Sequence, residues 1–341
     1  MRVLRLPAGS VGFVVSLTYL AGSAGSALAQ DAAATALADR LSAGIVVGED
    51  YIDNIFSTRA AKEADWLTTI APYLGLRLGD DDVRVNLGAS AEYGAYADNN
   101  DENYLDYRLY ANGRYRIAPG FLLFANASHV HDHEDRGSPD DVNGTVPTEF
   151  DVTSGVAAVL KRFGQTVVKL GTTYDRYDFD DSGAINNDDR DRQIFTAGVR
   201  AERGAGESTR LFGEVTYDGR EYRTAVDDNG FNRDSDGVRV AAGLNYRFGP
   251  RLDGELYAGW IYQDYESAAL QDVSTPDFGG RLNWRPTDAT SFVLSAERSV
   301  RETTLSGASS YVLTSLSLNW RHWIREDIRL GAGASYGLQD Y

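Results

Sequence analysis

The chain has 341 residues, a formal net charge of −17 and no cysteine. The excess of acidic residues argues against nucleic acid as a partner, because its phosphates are bound mainly through lysine and arginine. Without cysteine the chain can form neither disulfides nor thiolate metal sites. A length of this order suits two domains or one large all-β unit.

The N-terminal segment has the features of a secretory signal peptide. Arg2 and Arg5 precede a short apolar run at 11–20, and Ala27 and Ala29 frame a cleavage site before Gln30. The apolar run is shorter than the roughly 18 residues that a spanning helix needs, although an uncleaved membrane anchor remains the alternative. We expect a signal peptide over 1–29, a short periplasmic lead-in over 30–39, and one β-barrel domain over 40–341. The lead-in is too short to plug a wide lumen.

After residue 40 the apolar residues alternate with polar ones almost everywhere. In the segment 83–96, for example, Val83, Val85 and Leu87 alternate with Arg84 and Asn86. Successive side chains of a strand point to opposite faces, so each such segment has one apolar and one polar face. The pattern predicts about fifteen strands, placed at 40–52, 66–78, 83–96, 103–117, 121–133, 148–162, 165–177, 190–203, 209–222, 237–248, 252–263, 276–285, 290–301, 310–322 and 327–341.

The connections between these strands alternate between short turns and long loops. Turns such as 79–82, 118–120 and 249–251 alternate with loops such as 134–147 and 223–236. Short periplasmic turns and longer outer loops are typical of transmembrane barrels, whose strands need about 9–11 residues to cross the bilayer. The fold class predicted is therefore all-β: a transmembrane, antiparallel, up-and-down β-barrel.

The short turns share a sequence unit in which an aromatic residue and an arginine precede the turn and an apolar residue follows it. The clearest example is Tyr-Arg-Phe-Gly-Pro at 246–250, and Trp284 and Trp320 occupy equivalent positions. These aromatic residues fall on the apolar register, as an aromatic girdle at the membrane interface would. The neighbouring arginines fall on the polar register near the inner rim.

The chain resembles the outer-membrane beta-barrel porins of type 2 found in Gram-negative bacteria. The resemblance rests on Tyr-Ile-Asp-Asn-Ile-Phe at 51–56, the Tyr-Arg-Phe-Gly-Pro turn, Asp-Asp-Arg-Asp-Arg at 188–192 and Asn-Arg-Asp-Ser-Asp at 232–236. It covers nearly the whole chain after the signal peptide. It implies an outer-membrane location, and a link of some members to exopolysaccharide export implies passage of polysaccharide.

The predicted number of strands is odd, whereas bacterial single-chain barrels have an even number. An open edge in lipid would leave backbone groups unpaired. The residues 337–341 resemble the strand-to-loop transitions near 174–178 and 262–266. We therefore expect that one or more C-terminal strands are missing and that the complete barrel has about 16–18 strands.

The polar register carries many arginines near the inner rim, whereas acidic residues dominate the outer loops. Two interpretations stay open: an arginine-lined lumen that attracts anionic polymers or solutes, or arginines and carboxylates that pair across strands and fill the barrel. Tyrosines of the same register could stack on sugar rings. The candidate lumen and solute-binding residues are Arg84, Arg108, Arg114, Arg116, Arg200, Arg239, Arg247, Arg281, Arg285, Arg321, Tyr73, Tyr104, Tyr110, Tyr257, Glu92, Asp106 and Glu214.

Metal binding has weaker support in the sequence. An aspartate-rich loop offers oxygen ligands of the kind that Ca²⁺ takes, but its spacing fits no EF-hand pattern and solvated charge on a loop is the favoured interpretation. Three alternating histidines could clamp a metal ion. They continue a register that faces lipid, which favours interfacial histidines at the outer girdle. The residues concerned are Asp178, Asp180, Asp181, Asp188 and Asp189 in the loop, and His129, His131 and His133 in the strand.

No catalytic motif accompanies these patterns. The sequence lacks a Walker loop and His-Glu-x-x-His, and Ser128 points away from the face of His129. Its Gly-x-Ser-x-Gly match at 333–337 lies inside the predicted strand 327–341, whereas a nucleophile of this motif sits on a sharp turn from a strand into a helix. We predict a non-enzymatic outer-membrane pore without a cofactor, most concretely for polysaccharide or another polar anionic solute. The alternatives are a general diffusion porin and a structural or adhesion barrel with acidic surface loops. Expected partners are outer-membrane lipid and lipopolysaccharide (LPS), polysaccharide or a small polar solute, and periplasmic export components, but no nucleic acid.

Overall fold

The computed structural model describes residues 40–137, 144–206, 208–303, 308–326 and 328–340. The predicted signal peptide and lead-in lie outside the described residues, as do parts of two predicted outer loops and the terminal Tyr341. No helix among the described residues is long and apolar enough to cross a membrane.

The described chain forms one antiparallel sheet in which every strand neighbours the strand before it and the strand after it. β1 and β15 are its two edge strands, and the sheet order contains no pairing between them. The strands are β1 (Leu41–Ile52), β2 (Asp65–Gly79), β3 (Val83–Tyr96), β4 (Tyr104–Ala118), β5 (Phe121–His133), β6 (Glu149–Phe163), β7 (Thr166–Phe179), β8 (Arg192–Gly204), β9 (Thr209–Tyr222), β10 (Ser235–Phe248), β11 (Leu252–Tyr265), β12 (Val273–Trp284), β13 (Thr290–Glu302), β14 (Ser310–Arg325) and β15 (Ile328–Asp340).

The prediction of fifteen up-and-down strands is confirmed, and the strand ends fall within a few residues of the predicted ones. The largest shift at a strand start is in β12, which begins at Val273 rather than at Pro276. Proline lacks an N–H group and is therefore tolerated in a strand only where no partner needs that donor. Pro276 pairs with Trp260 of β11, whereas the ladder to β13 runs over Gly280–Trp284 within the described residues. Two short 3₁₀ segments, Asn100–Glu102 and Asp188–Arg190, were not predicted.

The chain divides into two compact units. The described parts of 1–117, 123–157 and 175–191 form the first unit, and those of 118–122, 158–174 and 192–341 form the second. In the first unit Leu105 and Leu109 of β4 are 52% and 50% exposed. In the second unit Leu211 of β9 and Leu256 of β11 are each 52% exposed. Large apolar side chains exposed at alternate strand positions are the surface that a membrane strand presents to lipid.

Candidate functional site

A tight turn between β2 and β3 positions the first group of polar side chains. Gly79 has a φ of +89°, and a side chain there would collide with the carbonyl of Val83. The Asp80 carboxylate accepts hydrogen bonds from the backbone N–H groups of Val83 and Asp82 at 3.0 and 2.8 Å. These bonds stabilise the ionised form and lower the pKa of Asp80. The turn thereby fixes the start of β3, where Arg84 lies.

The polar face of β2, β3 and β4 carries arginines in successive cross-strand rows. Tyr73, Ser90 and Arg108 form one row, because Ser90 is the register partner of both of the others. In the second row Tyr110 lies opposite Gly88. In the third row Asn86 lies between Arg77 and Asn112. In the fourth row Arg114 lies opposite Arg84. None of these rows contains a carboxylate. We call this set the arginine patch: Arg77, Arg84, Arg108, Arg114, Asn86, Asn112, Tyr73 and Tyr110.

The last two rows of the arginine patch line a cavity of about 350 Å³ in the first unit. Arg84 and Arg114 face each other directly across the two strands, an arrangement in which like charges repel. Asp81 meets both, since its carboxylate lies 3.0 Å from Arg84 Nη2 and its carbonyl oxygen accepts from Arg114 Nη2 at 2.9 Å. Arg114 Nε is buried and has no hydrogen-bond partner among the described residues.

Asp81 neutralises this pair of arginines only weakly. Its side chain is 86% exposed and that of Arg84 is 40% exposed, so water screens the ion pair between them. Arg77 and Arg108 are also exposed and have no carboxylate partner in the described part of the chain. The arginine patch is therefore a region of net positive charge in a chain that is acidic as a whole.

The second unit also carries arginines on its strands, but there they contact carboxylates in an arrangement that we call the ion-pair ladder. Arg200 of β8 contacts three carboxylates: Glu202 at 2.9 Å, Glu214 at 3.3 Å and Glu255 at 2.6 Å. Arg239 of β10 bridges Glu214 and Asp277, the latter at 2.6 Å. The ladder comprises Lys169, Arg200, Glu202, Arg210, Glu214, Arg239, Glu255 and Asp277.

The ion-pair ladder contains four cations and four anions, so its formal charges cancel. The side chain of Asp277 is fully buried and that of Glu202 is 9% exposed. Breaking a pair of this kind leaves a buried charge without compensation. At Arg200, Arg239 and Glu214 the interpretation of cross-strand pairing is therefore the one that the geometry favours.

The four candidate tyrosines share an unexpected feature, because each lies opposite a glycine of the neighbouring strand. The pairs are Tyr73 with Gly44, Tyr104 with Gly94, Tyr110 with Gly88, and Tyr257 with Gly279. In each pair the ring occupies the space in which a side chain on the glycine would stand. An aromatic ring that covers a glycine in this way shields the exposed backbone and stabilises the strand pair.

The tyrosines differ in what contacts their second face. The ring of Tyr104 stacks on His133 with centroids 4.0 Å apart, and Arg239 lies 4.9 Å from the ring of Tyr257. Tyr73 and Tyr110 remain 45% and 38% exposed. Only these two of the four candidate rings therefore keep a face on which a ligand could stack.

The other candidate residues have mostly local partners. Arg116 pairs with Asp82 at 3.1 Å and Arg285 with Asp253 at 2.5 Å, both at turns. Arg281 donates to Asn283 at 3.3 Å, and Arg247 and Arg321 are exposed. Glu92 accepts a hydrogen bond from Tyr104 at 2.9 Å, and Asp106 contacts His133 at 2.8 Å.

Three arginines with largely buried side chains hold the outer loops and were not among the predicted site residues. Arg233 pairs with Asp227 at 2.6 Å and donates to the carbonyl oxygen of Thr303 at 2.5 Å. Burial opposes ionisation of Asp227, but hydrogen bonds from the Phe231 N–H and from Arg233 outweigh it and lower its pKa. Similar ion pairs join Arg136 to Glu102 and Arg190 to Glu134. The Asp-Arg alternation of 188–192 and 232–236 was the available signal for Arg190 and Arg233, but their partners Glu134 and Asp227 lie outside these motifs.

The aspartates proposed as weak metal ligands do not converge on one point. Asp178 pairs with Arg176 at 2.8 Å, and Asp181 accepts from the backbone N–H of Asn187 at 3.2 Å. The group of described residues whose ligand atoms lie within 4.8 Å of one another is instead Asp106, Asp132 and His133. Asp180, Asp188 and Asp189 also lie outside that group.

The predicted alignment of three histidines on one lipid-facing register is wrong at His133. His129 and His131 lie against Tyr107, on the apolar register of β4. His133 instead stacks on Tyr104, which belongs to the polar register. His133 is the last residue of β5, and its N–H binds the side chain of Asp132, so the alternation of the strand ends there.

Comparisons with known proteins relate the whole described chain to one family. A family model described as "Putative beta-barrel porin 2" matches residues 41–341. No curated protein matched the sequence.

Several solved structures share a similar arrangement of strands at low sequence identity. The FrpB iron transporter from Neisseria meningitidis is 12% identical, with 88% of this chain and 58% of that chain covered and a TM-score of 0.48. The ferric preacinetobactin receptor BauA from Acinetobacter baumannii is 12% identical, with coverages of 87% and 57% and a TM-score of 0.49. The present chain thus spans less than two thirds of these structures. The match of the family model over 41–341 shows that the chain belongs to the beta-barrel porin 2 family.

Proposed function

We propose that this chain forms a pore in the outer membrane of a Gram-negative bacterium, through which polysaccharide or another polar anionic solute passes. Membership of a porin family is the single observation that carries the general role. In this proposal residues 1–29 direct secretion, 30–39 form a periplasmic lead-in, and the barrel begins at residue 40. The strands contribute their apolar register to lipid and LPS and their polar register to the passage.

The preference for anions follows from the arginine patch. Four arginines occupy its rows, and the nearby Asp81 is too exposed to neutralise them. A passage wall with unneutralised guanidinium groups attracts anions and favours bidentate contact with carboxylates. The resemblance of some family members to exopolysaccharide pores makes an acidic polymer the leading solute, with periplasmic export components as partners. The role requires neither catalysis nor a cofactor.

A general diffusion porin is the second candidate, and the ion-pair ladder favours it. Where charges cancel along the polar face, the wall attracts neither sign of ion and only size limits passage. A structural or adhesion barrel would need such pairing throughout the polar face, and the arginine patch does not have it.

Single-channel recording of the refolded, full-length protein in a planar bilayer tests the proposal. We expect a steady conductance with anion preference that acidic polysaccharide blocks when it is added from the inner side. Conductance that polysaccharide does not change would favour the diffusion porin. A folded barrel without conductance would overturn the pore and favour the structural or adhesion role.

A further inference from the structure

We propose that the arginine patch is a binding site for an acidic oligosaccharide and that it recognises a hexuronate unit. The inference rests on the proposed function for its biological role and names the substrate class at one site. The binding site itself is argued from the contacts of β2, β3 and β4.

The carboxylate of the sugar has a defined place between Arg84 and Arg114. Their guanidinium groups lie on facing strands beside one cavity, and the exposed carboxylate of Asp81 offsets their mutual repulsion only weakly. Arg114 Nε has no hydrogen-bond partner among the described residues, so it makes no bond that a ligand would have to break. Because this nitrogen is buried, it reaches the ligand only after the guanidinium group rotates toward the cavity. A planar guanidinium matches the two oxygens of a carboxylate, and the charged hydrogen bonds formed are stronger than neutral ones.

The next row of the arginine patch suits hydroxyl groups. Asn86 Nδ2 donates to Asn112 Oδ1 at 2.8 Å, and both side chains line the same cavity. This bond leaves Asn86 Oδ1 as an acceptor and Asn112 Nδ2 as a donor toward the cavity. A hydroxyl group both donates and accepts, so neighbouring hydroxyls of a sugar can use both atoms.

Flat apolar surfaces flank these polar groups. The ring of Tyr110 lies two rows from Arg114, covers Gly88 with one face and leaves the other exposed. Phe124 and Val156 form part of the cavity wall. The C–H face of a pyranose ring is apolar and packs against such surfaces, whereas a phosphate or chloride ion gains nothing from them.

The dimensions and charge of the arginine patch favour an oligomer. Rows two residues apart are separated by about 6.8 Å, so the first and last rows lie about 20 Å from each other. Arg77 and Arg108 extend the positive charge along this length, and the rows hold no carboxylate to accept from neutral hydroxyls or to repel an acidic chain. A repeating negative charge on a sugar backbone fits this surface better than a single small anion.

Isothermal titration calorimetry on the full-length protein, folded in detergent micelles, tests the site. The probes are a galacturonate oligomer, a neutral glucose oligomer of equal length, and inorganic phosphate. The test variants are Arg84→Gln with Arg114→Gln, and Tyr110→Leu. The matched control is Arg203→Gln with Arg251→Gln, which removes the same charge from exposed positions outside the arginine patch. Circular dichroism and heat-dependent mobility in gels establish that each variant is folded.

We expect the galacturonate oligomer to bind and the neutral oligomer not to bind measurably. The Arg84→Gln, Arg114→Gln variant should lose roughly tenfold or more in affinity, Tyr110→Leu should lose severalfold, and the control should bind like the wild type. Equal binding of phosphate, with no effect of Tyr110→Leu, would overturn recognition of the sugar. Equal losses in the control and the test variant would overturn the location of the site.

The outcome separates this inference from the proposed pore. A barrel that conducts ions but binds no galacturonate oligomer would refute the sugar site and leave the pore intact. A barrel that binds the oligomer through Arg84 and Arg114 but never conducts would refute the pore and leave the binding site intact.

Discussion

The arginine patch and the ion-pair ladder both place arginines on the polar register of neighbouring antiparallel strands, yet their net charges differ. In the ladder Arg200 lies directly opposite Glu214, and Arg239 reaches carboxylates on β9 and β12. In the patch Arg84 lies opposite Arg114, and Arg108 lies opposite Ser90. Whether an arginine is available to a solute thus depends on its cross-strand partner, and the number of arginines on a face does not decide it.

The largest expected effect is a reversal of ion selectivity by charge inversion in the arginine patch. Arg84→Glu with Arg114→Glu replaces two half-buried positive charges with negative ones at the same place. We expect the reversal potential of the channel in a salt gradient to change sign. Neutralising a ladder pair, Arg239→Gln with Asp277→Asn, is the matched comparison and should leave the sign unchanged. An unchanged reversal potential in the patch variant would mean that these arginines do not face the conducting path.

The next effect concerns stability, which should fall in a ladder variant and stay nearly constant or rise in a patch variant. Arg239→Met leaves Glu214 and the buried Asp277 without their shared cation, and we expect a loss of about 3 kcal/mol in the free energy of unfolding. Arg114→Met instead removes a repulsion and should change stability by less than about 1 kcal/mol, or raise it. Urea unfolding followed by tryptophan fluorescence measures both. Equal losses in the two variants would show that the patch is as tightly paired as the ladder.

A smaller effect is expected at the tyrosines that cover glycines. Tyr257→Ala uncovers Gly279 and also removes the ring beside Arg239, whereas Tyr110→Ala only uncovers Gly88. We expect Tyr257→Ala to cost about 1 kcal/mol more than Tyr110→Ala, because the cation–π contact is lost in addition. The same unfolding experiment measures this difference. Identical costs would mean that the contact with Arg239 contributes nothing.

The smallest effect is a pH dependence in an outer loop, outside both regions. The folded-state pKa of Asp227 lies below its ordinary value of 3.8, so its contribution to stability is fully present above that value. This contribution is lost as the pH falls through the lowered pKa. We expect unfolding experiments between pH 5 and pH 2 to show a steeper loss of stability in the wild type than in Asp227→Asn. Parallel curves would show that other carboxylates dominate the acid response.

Much of the architecture could be predicted from the sequence because alternation along a strand is a local property. The apolar positions of β3 and β4 indicated both the strands and their faces. The strand predicted to begin at Pro276 was three residues short at its start, because the sequence does not show that a proline pairs with only one neighbouring strand. His133 was misplaced for a related reason: the alternation holds only while the strand continues, and the strand ends at that residue.

The candidate site was less predictable, because pairing across strands depends on register. The sequence placed Arg84, Arg114, Arg200 and Arg239 on one register, but it did not show that Glu214 stands beside two of them while the other two face each other. The tyrosines illustrate the same limit. Their partners are glycines of a neighbouring strand, more than a dozen residues away in the cases of Tyr73, Tyr110 and Tyr257.

The sequence by itself therefore determined the strand count, the polarity of the two faces and the family, since each depends on local spacing or on motifs. The tertiary structure alone decided which arginines are neutralised and which tyrosines keep a free face. Those properties depend on the register of hydrogen bonds between strands. A shift of one residue in that register would turn every side chain of a strand to the other face.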